Sequence, residues 1–123
     1  LWEAAFKTRH DAAARLAVVP MVLEARGLDV TPATIARFEN AGDHRSAAIL
    51  ERIVDDEVRH VGFGVKWFKI RCDSDGFEPQ SHWRKLVRLH FNASLRPPFN
   101  DSAREQAGLT REYYAELAPE AFR

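Results

Sequence analysis

Between Asp43 and the break "RCDSDG" at residues 71–76, apolar side chains recur as Ile49, Leu50, Ile53, Val54, Val61, Val65 and Phe68. That is the three-and-four spacing of one helical face, so the stretch predicts a long helix with Asp43 as its N-cap. A long helix with one apolar stripe has to bury it against another element. The matching element lies upstream, where Trp2, Phe6, Ala13, Leu16, Ala17, Pro20 and Leu23 keep a helical period from Trp2 to Arg26 and Gly27 is placed as a stop. Pro20 predicts a kink there, because its ring clashes with the Leu16 carbonyl and its nitrogen donates no hydrogen bond.

The remaining punctuation is also helical. "VTPATIARFENAG" has Thr31 as N-cap, Pro32 at the first helical position and Gly42 as terminator, which predicts a short helix. Pro79 starts a third main helix through Trp83, Leu86, Val87, His90 and Phe91, ended by "RPPFN" from Arg96. Asn100 or Asp101 caps a short helix to Ala107, and Thr110 caps "REYYAEL". With no alternating strand pattern, the fold class is all-α: two long antiparallel helices followed by shorter C-terminal ones.

Composition sets the outer limits. The 123 residues suffice for one domain, 1–123, and Leu1 already reads as mid-helix, which implies truncation at the N-terminus. Lys plus Arg and Asp plus Glu are 18 each, so no basic surface argues for a nucleic-acid or membrane partner. The apolar stretch "LAVVPMVLEA" from Leu16 is broken by Pro20 and Glu24, well short of the roughly 20 residues of a span. Cys72 is the one cysteine, which excludes an internal disulfide and fits a cytoplasmic location.

Inside "DDEVRH", residues 55–60, Glu57 and His60 stand three positions apart. Three helical residues turn the chain by roughly 300° and advance it about 4.5 Å, so both side chains project from nearly one side and can grip one object. Leu50, Ile53, Val61 and Gly64 fall on that side, so an unpaired carboxylate there would be costly. A divalent metal compensates it well, since imidazole and carboxylate suit iron, manganese or zinc. Glu24, in line with the first stripe, is a second inward carboxylate. The plainer reading pairs Glu57 with Arg52 or Arg59 and Glu24 with Arg15 or Arg59, and makes His60 a hydrogen-bonded core residue.

One Glu from a helix followed by Glu-x-x-His on the next long helix is half of the constellation used by di-iron ferritin-like bundles. With its flanks the likeness widens. "RLAVVPMVLEARGLDVTPATIARFENAGD", then "AAILERIVDDEVRHVGFGVKWF", then "PPFN", "AR" and "AGL" resemble the C-terminal half of an uncharacterised bacterial ferritin-like family, domain-of-unknown-function family 455. The resemblance implies a ferritin-like helical bundle with Glu24 as a terminal or bridging ligand, Glu57 as the bridging carboxylate and His60 as a terminal nitrogen ligand. It implies Asp56 and Arg59 as residues supporting the ligands. The cofactor would be two iron ions, with manganese as the alternative, and the other ligands would come from a missing N-terminal half or from a second copy in a homodimer. The activity implied is a di-iron oxidoreductase, oxygenase or hydroxylase with a small-molecule substrate and an electron donor, neither of which the sequence names. Two other readings stand beside it: a metal-binding or storage protein of the same fold without organic substrate, and an all-helical interaction module with no metal.

One geometric condition follows. Glu24 precedes Gly27 by three residues, whereas Glu57 lies about 21 Å along its helix from Asp43. The two meet only if "TPATIARFEN" carries the chain onward by roughly 15 Å as a helical extension before the second long helix returns. His10 stands about 21 Å from Glu24 along the first helix, too far to share a metal, and His44, His82 and His90 read as solvated or structural.

Overall fold

The computed structural model of the protein describes residues 1–91 and 94–119, and among these it is an all-helical bundle without strands. Seven α-helices follow in order: α1 (Trp2–Lys7), α2 (Ala12–Val18), α3 (Ala25–Asn40), α4 (His44–Asp75), α5 (Pro79–His90), α6 (Asp101–Gln106) and α7 (Arg111–Tyr114). A π-helical segment, Val19–Glu24, joins α2 to α3, and a 3-10 turn, Ala115–Leu117, follows α7. Asp43 opens α4 by accepting from the Ser46 backbone N–H, and Gly76 closes it at φ 78°, where a side chain would be strained. α3 packs most extensively along α4, and the three residues between them return the chain antiparallel. None of the described helices is long and apolar enough to cross a membrane.

The first long helix departs from expectation in two places. It is interrupted between Lys7 and Ala12, where the Asp11 carboxylate accepts from the Ala14 backbone N–H and so starts a new helix. An aspartate that bonds its own backbone competes with continuation of the preceding helix. At Pro20 the chain widens into the π segment, and it then runs through Gly27 and Pro32 to Asn40. Gly27 is therefore no terminator and Thr31 no N-cap. The chain supplies what Pro32 removes: the proline lacks the N–H that would reach the Leu28 carbonyl, and Asn100 Nδ2 donates to that carbonyl at 3.1 Å instead. Burial of Ala25, Leu28 and Asp29 on this segment outweighs the local helix-stop signals.

The third main helix starts at Pro79 as expected, but it ends at His90, with Phe91 already extended, several residues before the paired prolines. Asn100 caps α6 through Ala103 N–H, and Thr110 takes the N-cap position of α7. The core is built from Met21, Leu28, Phe68, Trp83, Leu109, Tyr113 and Tyr114, all fully buried. Trp83 locks α5 to α2 by donating its indole N–H to the Ala17 carbonyl at 3.0 Å. Asp29 and Arg104, both buried, bind α3 to α6 through two hydrogen bonds of 2.8 and 2.6 Å.

The opposite side of α4 is uncovered. Ile49, Ile53, Phe63, Trp67 and Ile70 form a row on it, each between 48% and 59% exposed. His60 falls in the same row by its spacing, and Arg45, Arg52, Arg59 and Lys66 repeat at seven-residue intervals along its edge.

Candidate metal centre

Two helices meet at the candidate site. The π segment ends at Glu24, so its side chain leaves the backbone where the helical turn has been widened by one residue, a distortion often found at functional positions. One turn on, Gly27 faces α4: a Cβ at Gly27 would lie 3.9 Å from Glu57 Cγ, so Glu57 lies over this part of α3. Two turns along α4 from Glu57, Gly64 meets the ring of Pro20, whose Cβ and Cγ would sit 2.5 Å from a Cβ built at that position. No side chain fits there. The glycine and the proline together let α4 approach the π segment closely enough for Glu57 and Glu24 to influence each other.

That influence is visible in the electrostatics. The Glu57 carboxyl is held above the usual carboxylate range, first because burial disfavours its charge and next because the Glu24 carboxylate is near; His60 acts the other way. Glu57 Oε1 is buried and has no hydrogen-bond partner among the described residues. The pairings of the plainer reading are absent too. Among the described residues neither glutamate forms an ion pair with an arginine or lysine, and Arg59 bonds Asp56 instead, Nη2 to Oδ1 at 2.6 Å.

The imidazole is placed differently from the carboxylates. His60 Nδ1 is 3.9 Å from Glu57 Oε2, beyond a hydrogen bond, and its side chain is 63% exposed against 25% for Glu57. The expected apolar setting is thus split. Val61 and Gly64 are buried beside Glu57, whereas Ile53 belongs with His60 to the uncovered row of α4. Asp56 and Arg59 are exposed and hold one another on that same outer side.

Two carboxylates and an imidazole are a donor set suited to iron, manganese or zinc, and a cation would relieve both the orphaned Oε1 and the repulsion between the glutamates. These residues fit part of a coordination sphere. Among the described residues no three histidine, cysteine, aspartate or glutamate side chains converge closely enough to hold an ion by themselves.

Residues 1–115 match the family described as "Protein of unknown function (DUF455)". The chain belongs to that family. It is also 36% identical over 111 residues to an uncharacterized protein of Haemophilus influenzae, an alignment covering 90% of this chain and 38% of the relative. The chain therefore spans well under half the length of that relative. No solved structure matches it. Family membership accounts for the extent of the likeness read from the motifs, since the match takes in Glu24, Asp56, Glu57, Arg59 and His60 together.

Sequence reasoning missed the cluster formed by buried Asp29 and Arg104 with partly buried Asn100. Its signal was present: Ala25, Leu28 and Asp29 continue the inward stripe, but only if the helix is read through Gly27.

Proposed function

We propose that this chain contributes one half of a ferritin-like di-iron carboxylate centre, and that the complete protein is an oxidoreductase or oxygenase acting on a small organic molecule. The observation that carries this reading is the Glu57 carboxylate: it is partly buried, its Oε1 lacks a partner, and it faces a second carboxylate where a cation is the economical neutraliser. Glu24, Glu57 and His60 would be the ligands this chain supplies. Three further ligands, two glutamates and a histidine, would come from outside this chain, either from the remaining length of the full protein or from a second copy. When bound, two ferrous ions would supply dioxygen reduction; the chain's own residues would hold them, with the Glu57 stem packed against α3 at Gly27. His60, on the outer row, holds a ring nitrogen toward whatever element covers α4.

Iron or manganese content of the full-length protein, with dioxygen uptake, tests the reading. About two metal ions per complete bundle is the expected result, lost in Glu57→Ala and accompanied by oxidation of a small molecule. Ferroxidase turnover with formation of a mineral core would assign storage instead. A competing reading is an interaction module without metal, favoured by the uncovered apolar row on α4. Absence of metal, with Glu57→Ala leaving all properties but stability unchanged, would select it.

A further inference from the structure

A second site lies on the other side of α3, independent of the metal reading. Val22, Leu23, Phe91, Leu95 and Phe99 wall a cavity of about 280 Å³, and three arginines, Arg26, Arg96 and Arg104, also line it. We propose that this cavity binds a small carboxylic acid with an apolar tail.

The charge balance is the first argument. Asp29 is the one carboxylate bonded to these guanidinium groups among the described residues, taking Nε and Nη2 of Arg104 and lying 3.5 Å from Arg26 Nη1. Three cations against one anion leave the cavity electropositive. Arg26 is otherwise held by the carbonyls of Arg96 and Pro98, and no ion pair engages Arg96 among the described residues. The second argument is Arg104 itself. It is 3% exposed and packs against the neighbouring rings of Phe99 and Tyr114, 5.0 and 4.5 Å from their centroids. With Nε and Nη2 turned to Asp29, Nη1 sits on the side away from that carboxylate and has no partner among the described residues. A buried, unpaired cationic N–H is costly, and its field favours an anion in the adjoining space.

The lining decides which anion. An inorganic phosphate would leave the five apolar side chains wet, whereas a hydrocarbon tail buries against them and its carboxylate matches the guanidinium fork. The volume falls just under the roughly 300–1,000 Å³ of drug-sized clefts, which suits a short-chain or single-ring acid.

Calorimetric titration of the full-length protein with octanoate, n-octanol, octylamine and inorganic phosphate tests this. Octanoate is expected to bind at least tenfold more tightly than the other three. Leu23→Trp, which fills the cavity, should abolish octanoate binding. Arg96→Glu should weaken it at least fivefold without changing the melting temperature. Equal binding of octanol or octylamine, displacement of octanoate by phosphate, or wild-type affinity in both variants would overturn the assignment.

Discussion

At Glu57 the direction of the titration shift sets a sign for stability. Its carboxyl is held above the ordinary range, by burial first and by Glu24 second, so the folded state binds its proton more tightly than the unfolded chain does. A raised folded-state value means that the favourable contribution is complete at pH below the ordinary carboxylate value and is lost as pH rises through the folded value. Glu57→Gln should therefore be more stable than the parent at neutral pH in urea unfolding, with the difference shrinking toward zero near pH 4. Equal stability of the two proteins at neutral pH would remove the electrostatic strain from the site. Gly64 obeys a harder constraint. A Cβ there would stand 2.5 Å from two atoms of the Pro20 ring, which cannot rotate away, so Gly64→Ala should cost about 2 kcal/mol in the same assay. Cys72 is buried, and burial together with Asp75 and Glu78 pushes its thiol up to about 11. Native protein should accordingly react with thiol reagents at neutral pH far more slowly than unfolded protein.

Among the elements, α3 shows how one residue outside a helix keeps it whole. Asn100 donates to the Leu28 carbonyl left open by Pro32, gives its own backbone N–H to Asp29 at 2.9 Å, and caps α6. Asn100→Ala removes the cap and the bond to a partly buried carbonyl together, and a loss of about 2–3 kcal/mol should appear as a lowered denaturant midpoint. The same element explains where reading the sequence succeeded and failed. The start of α4 was legible because its cap is local, Asp43 bonding a residue three positions on, whereas the helix runs on through Arg71–Asp75, inside the stretch read as its break, and stops only at Gly76. The path from Glu24 to Asn40 was legible as a requirement of geometry, since the two glutamates could meet only if the chain went on as helix. Its continuity through Gly27 and Pro32 was not, because it rests on Asn100, more than sixty residues away.

For the molecule as a whole, the uncovered row of α4 is the dominant surface feature. Five large apolar side chains in helical register exceed what an isolated domain usually leaves in water, and the row includes His60. Phe63→Glu should change unfolding free energy by no more than about 0.5 kcal/mol, because Phe63 is already 59% exposed, yet it should lower self-association in light scattering. The amino-acid sequence by itself determined the all-helical class, most helix starts and the Glu-x-x-His spacing, because periodicity, caps and turn residues act over a few positions. Only the tertiary structure decided that Glu57 lies under α3 near Glu24 while His60 faces outward, and that Asp29, Asn100 and Arg104 gather beside a cavity. The first depends on how closely α4 approaches the π segment, which Gly64 and Pro20 set from separate elements, and the second on contacts between α3 and residues 71 and 75 positions further along the chain.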